Sequence, residues 1–268
     1  MAATPATSAT PPLSMSSMRK TALVAGILYL ATFISSIPAA LLLGDSLANP
    51  DYILGAGADG QVRLAAIFDI INGLTAIGTA VALYTVVKRQ HEGLAIGFVV
   101  ARVLEAAILF IGTVTVLSIA DLRLTGAAAD PASLQTVGLT LTTIYHWAFA
   151  LGTGIPALNA LLLGTLLYRS RLVPRAIPAL GLIGAVTFTS FIIGHILGVT
   201  EGGTPWHGLA VAPIFFWELL VGLWMAFKGF RKDAPLMLEA AAAEAASTDI
   251  PGRTARPAIG VASKAGAA

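Results

Sequence analysis

Cysteine is absent from the 268 residues, and charge is scarce, with lysine, arginine, aspartate and glutamate making up only 11%. Without a thiol there is no disulfide, thiolate metal site, iron–sulfur cluster or cysteine nucleophile, so any metal has to be held by histidine and carboxylate. Soluble domains carry about 25% charged residues. A chain this poor in charge, 56% hydrophobic and with a mean hydropathy of +0.83, belongs to the membrane class on composition alone. Its net charge of +2 is too small, and its basic residues too dispersed, to attract nucleic acid. Each span takes about 20 residues, so there is no length for a second sizeable domain.

Residues 1–18 are rich in Ala, Ser, Thr and Pro without apolar periodicity and read as a disordered tail. The apolar run 21–43 behind Arg19 and Lys20 exceeds the 7–15 residues of a signal-peptide core. It reads as a retained first span despite the small residues Ser46-Leu47-Ala48. Asn49-Pro50-Asp51 starts a short turn broken by Gly55 and Gly57, and Asp59 is placed to cap a second helix reaching Lys88. Asp130-Pro131, an N-cap followed by proline, opens a fourth helix to residue 168, about 57 Å long and nearly twice a hydrocarbon core. Its first dozen residues must therefore lie outside the core or along its surface, and Gly152-Thr153-Gly154-Ile155-Pro156 is expected to kink or unwind it. The reading is an all-α, polytopic bundle of six transmembrane helices at about 20–43, 63–87, 94–119, 143–168, 175–199 and 207–228. After it come a short helix at 235–246 and a disordered tail within 233–268.

One set of loops holds Arg19, Lys20, Lys88, Arg89, Arg169, Arg171, Arg175, Lys228, Arg231 and Lys232; the other holds Arg63 and Arg123 with Asp45, Asp51, Asp59, Asp121, Asp130 and Glu201. By the positive-inside rule both termini are expected in the cytoplasm. Helical rise from the basic ends then gives each intramembrane polar group a height. Arg102, Asn159 and Glu218 each lie about 15 Å in, on three different helices, with Glu105 one turn beyond Arg102 on the same face. A charge at this depth costs at least about 2.5 kcal/mol and needs a partner. Arg102 is expected to pair with Glu218 and Glu105, with Asn159 taking remaining guanidinium donors. Such a network either locks helix positions or, with two carboxylates to one arginine, serves as a proton relay or a site for a small ion or solute.

A second layer, Asp69, His146, His195 and His207, falls at about 28–33 Å by the same ruler. Three imidazoles and a carboxylate suit zinc, and two histidines alone suit a b-type haem. Equal height does not make side chains converge, however, and no His-x-x-His or His-Glu-x-x-His spacing supports a site. Asn72 and the glycines at 181, 184, 194 and 198 read as helix-packing positions. There is no nucleotide-binding or Ser-His-Asp pattern. The echo between Ile37-Pro38-Ala39-Ala40-Leu41-Leu42-Leu43-Gly44 and Ile155-Pro156-Ala157-Leu158-Asn159-Ala160-Leu161-Leu162-Leu163-Gly164 suggests inverted halves, but so apolar a chain yields such likeness by chance.

Several strings occur together in order: Gly78-Thr79-Ala80-Val81-Ala82-Leu83-Tyr84, Gly97-Phe98-Val99-Val100-Ala101-Arg102-Val103-Leu104-Glu105-Ala106, Tyr168-Arg169-Ser170-Arg171-Leu172-Val173-Pro174-Arg175, and Ala212-Pro213-Ile214-Phe215-Phe216-Trp217-Glu218. In these the chain resembles the bacterial membrane-protein family called domain of unknown function 4386, common in actinobacteria, over about 19–231. The resemblance implies a bacterial cytoplasmic membrane protein and brings no activity with it. Members often have His-Asp-Trp where this chain has Tyr145-His146-Trp147, and Gly-Pro-Gly where it has Gly152-Thr153-Gly154. The sequence thus points to a transport-related or non-catalytic membrane protein. The alternatives are a membrane-embedded metal or haem protein using the outer layer, and a structural subunit of a larger complex.

Overall fold

The computed structural model describes residues 14–48, 50–54, 59–126 and 130–248. These form seven helices: α1 Met15–Ala48, α2 Asp59–Val87, α3 Glu92–Thr125, α4 Pro131–Ser170, α5 Ala176–Ile196, α6 Pro205–Phe227 and α7 Pro235–Thr248, with a 3₁₀ turn at Pro50–Ile53. The first six are long and apolar enough to cross a membrane. Local signals set several helix starts. The His91 side chain accepts from Leu94 N at 3.2 Å and the Asp130 carboxylate from Ser133 N at 3.0 Å; Thr204 Oγ1 accepts from His207 N at 3.3 Å ahead of Pro205. Each cap satisfies an amide that has no carbonyl one turn back.

Several boundaries differ from the sequence reading by a few residues, two of them because helical pairing continues past the apolar run. α1 begins at Met15, inside the stretch expected as tail, where Met18 is buried and Met15 N donates to Glu244 of α7. α3 runs on to Thr125, because Arg123 finds partners in its last turn. Of the kink or unwinding expected in α4, the unwinding is absent: residues 131–170 are continuously helical. Pro156 removes a single donor, the one that would reach the Gly152 carbonyl. The side chains of Ile108 and Ile192 pack where Gly152 and Gly154 carry none, and the Thr153 hydroxyl donates to the Phe149 carbonyl at 2.8 Å. The expected disorder of 1–13 and 249–268, and the turn residues Asn49, Gly55 and Gly57, lie outside the described residues.

Each of the six long helices packs against its chain neighbours, and α6 returns to α1, closing a ring. The start of α1 and α7 then lie at one end of the bundle, called here the terminal end; the other is the far end. Small residues allow the helices to touch. Gly26 meets the backbone of Ala226 and Gly222 between α1 and α6, while Gly181 receives Trp217 and Gly184 receives Ile214 between α5 and α6. The outer face is apolar and open, with Ile34, Leu41, Val114, Val186 and Leu209 all exposed, as a surface facing lipid must be. The terminal half of the interior is solidly filled by residues such as Leu83, Val86, Phe98, Leu163 and Leu167. A smaller cluster around Leu43, Tyr52, Val62 and Ile119 packs the far end on one side. Beside it, Arg123 pairs with Asp59 and stacks 4.4 Å from the centre of the Tyr52 ring, and Tyr52 donates to Asp59 Oδ1 at 2.9 Å. Asp59 therefore ties the 3₁₀ turn to α3. Burial, helped by that hydrogen bond, pushes the Tyr52 phenol up.

Candidate functional site: a buried ion-pair network under a central cavity

In a ring of six helices α3 and α6 stand opposite one another, and a side chain has to be long to cross the space between them. Arg102 does so. It is 2% exposed, and its Nη2 donates to Glu218 Oε1 of α6 at 2.5 Å and to the Tyr29 hydroxyl of α1 at 3.1 Å. Its Nη1 donates to both oxygens of Glu105, at 3.0 and 3.2 Å, and Asn159 Nδ2 of α4 donates to Glu105 Oε2 at 2.6 Å. The guanidinium also lies 5.2 Å from the centre of the Tyr29 ring and 5.8 Å from that of Phe98. One cation thus joins four helices. Charge-assisted bonds of this kind offset the cost of removing the ions from water only when nearly every polar atom is served. Arg102 Nε and Asn159 Oδ1 are the network's buried atoms with no partner among the described residues.

The structure brings Arg102, Glu105, Asn159 and Glu218 together, with one difference in detail. Asn159 donates to Glu105 and leaves the guanidinium alone. Tyr29 is the member that the sequence reading missed. Ten residues beyond Arg19, it sits about 15 Å in, at the height of Arg102, so the same ruler finds it once phenols are included.

Above the network, toward the far end, lies a cavity of about 460 Å³ lined from all six long helices. Glu105 and Glu218 form its floor, their side chains 17% and 14% exposed, while the guanidinium between them is almost completely covered. Asp69 and Asn72 on α2, Thr32 and Ser36 on α1, and Tyr145 and Thr153 on α4 add polar groups to walls made mostly of residues such as Phe33, Ile108, Phe149 and Phe215. The volume falls within the range of small-molecule sites.

The outer layer expected from equal heights is dispersed. Asp69 faces the cavity with α2, whereas His195 and His207 belong to an aromatic stack between α5 and α6, their ring centres 6.1 and 4.6 Å from that of Phe191. His195 Nδ1 donates to the Thr200 carbonyl at 2.9 Å, and His207 Nδ1 accepts from Gly203 N at 3.2 Å, so both nitrogens already serve the backbone of one turn. His146 is exposed beside Tyr145. Among the described residues no group of three or more His, Asp or Glu side chains is arranged to hold a metal ion.

Six apolar helices closed around such a cavity make this an integral, multi-pass membrane protein. More particularly, residues 24–229 match the family model described as Domain of unknown function (DUF4386), and the chain belongs to that family. The matched stretch runs from α1 to just past α6 and takes in the whole network and cavity. No curated protein and no solved structure matches the chain.

Proposed function

We propose that the protein is a carrier of the bacterial cytoplasmic membrane, with both termini in the cytoplasm, that admits a small solute or ion to the central cavity from outside. The observation that carries this reading is the placing of the cavity: it lies on the far side of Arg102, while buried residues such as Leu83, Phe98, Leu163 and Leu167 fill the interior on the terminal side. The concentration of basic residues at the terminal end supports this orientation. In this reading the Arg102 bridge between α3 and α6 is the inner barrier. A solute or proton that reaches Glu105 or Glu218 competes with the guanidinium for the same carboxylates, and loosening the bridge frees two opposite helices to move.

The natural lack of cysteine makes the test direct. In intact cells Asn72→Cys is expected to react with a membrane-impermeant thiol reagent added outside, and a reporter fused after Lys232 to be active in the cytoplasm. A thiol at position 72 that is reached only after the inner face is exposed would reverse the orientation; one reached from neither side would remove the carrier reading.

A further inference from the structure

The cavity presents an uneven set of charges. Three carboxyl groups line it, those of Asp69, Glu105 and Glu218, against one guanidinium, and that guanidinium is 2% exposed because its Nη atoms are turned into Glu105, Glu218 and Tyr29. What a visitor meets on the floor is therefore carboxylate oxygen. Glu218 uses only Oε1 toward Arg102, and its Oε2 has no hydrogen-bond partner among the described residues. Asp69 goes further. It is more than nine-tenths buried, yet neither of its oxygens has a hydrogen bond or ion pair among the described residues, and it lines the cavity. A buried carboxyl group without a partner carries a desolvation cost that a ligand can relieve.

The rest of the wall narrows the ligand's chemistry. A bare metal cation takes six or more oxygens, or a few nitrogen and oxygen ligands at close range; here Glu105 and Glu218 are both engaged by Arg102, Asp69 stands on another helix, and most of the remaining wall is ring and alkyl surface. Gly73 packs on Phe110 and Ala106, so Asp69, one turn earlier in α2 and nearer the far end, is about level with Phe110, five residues or about 7.5 Å of helical rise beyond Glu105. That gap suits a head group carrying its own apolar substituents, and aromatic faces attract such cations in addition to burying their carbon.

We propose that the cavity binds an organic monocation with an apolar body, a substituted amine or quaternary ammonium, with its charge between Asp69 and the Glu105–Glu218 floor and its body against Phe33, Phe149 and Phe215. This rests on the reading of the cavity as the binding site, and names what that site takes.

The probe is benzyltrimethylammonium, compared with phenylmethanesulfonate, an anion of similar size, on the full chain purified in a neutral detergent. The ammonium is expected to bind saturably and to protect Asn72→Cys from the thiol reagent, and the sulfonate to do neither. Asp69→Asn is expected to weaken binding by about tenfold or more, as loss of a charge-assisted contact does, and Asp69→Glu to restore much of it. The Glu variant separates loss of the carboxylate from loss of the fold. If Asn72→Cys reacts but the ammonium gives no protection, or Asp69→Asn binds as well as the parent, or the sulfonate is preferred, the cation assignment is wrong while the cavity stands. If Asn72→Cys is sealed from both sides, the binding-site reading fails, and the assignment with it.

Discussion

Arg102→Ala is expected to remove most of the folded protein. The residue is the one cation among two carboxylates, a phenol and, through Glu105, an amide, and these groups come from α1, α3, α4 and α6. Taking away one partner of a buried ion pair destabilises by about 3–5 kcal/mol, because the remaining charge is left in low dielectric without compensation. Here two carboxylates are left at once. Arg102→Lys should fall between, since an ammonium is a compact donor that cannot reach across both Glu105 and Glu218 in the forked manner of a guanidinium. Asn159→Ala removes a single donor to Glu105 and should cost about 1–3 kcal/mol. The diagnostic result is a rescue: Arg102→Ala combined with Glu218→Gln should be more stable than Arg102→Ala alone, read as monodisperse yield and melting temperature in detergent. Strictly additive losses would show that the two side chains do not share an interaction energy.

The second large effect is expected at a residue with no chemistry of its own. A Cβ at Gly26 would lie 2.3 Å from the amide nitrogen of Ala226 and 2.8 Å from the Gly222 carbonyl oxygen, and these are backbone atoms that no rotamer change can move. The contact is the seam where α6 returns to α1 and closes the ring. Gly26→Ala must push the two helices apart, and Gly26→Val further. Overpacking in a filled core typically costs about 1–3 kcal/mol and occasionally more, and the backbone clash here puts Gly26→Val at or above that range. The same displacement separates Tyr29 on α1 from Arg102, so the network should loosen together with the seam. Gly44→Ala provides the contrast: nothing lies within 4 Å of the Cβ it would add, and its melting temperature should stay within a degree or two of the parent, as exposed substitutions do. Equal losses for Gly26→Ala and Gly44→Ala would contradict the close approach.

How much of this was readable beforehand depended on the kind of signal. The six spans follow from runs of apolar residues punctuated by charged turns, and the N-cap of α4 from Asp130-Pro131, because both signals are local. The meeting of Arg102, Glu105, Asn159 and Glu218 was legible for a different reason: the basic ends supply a common origin, the α-helical rise supplies a ruler, and a charge in the membrane has few partners to choose from. Height is one coordinate only. Asp69 shares its height with His195 and His207 yet points into the cavity, while the histidines stack on Phe191, because the helix face decides which residues meet and an apolar sequence leaves that face unmarked. In the same way nothing local distinguishes Gly26, which touches backbone, from Gly44, which touches nothing; the difference arises from a helix almost 200 residues farther along the chain. Of the kink or unwinding expected around Pro156, the unwinding does not occur, and neighbouring helices fill the gaps left by Gly152 and Gly154, a compensation visible only in three dimensions.

The claim on which the rest depends is that the bundle is hollow down to Arg102 and closed beneath it, and a thiol ladder along α4 tests it most directly. Single cysteines at Ala148 and Thr153, which line the cavity, and at Leu163, which is fully buried beyond the network, would be exposed in turn to an impermeant reagent from each side of the membrane. Reaction is expected at the first two positions from the outside, and none at the third from either side. Reaction at Leu163→Cys, or silence at both Ala148→Cys and Thr153→Cys in folded protein, would contradict it.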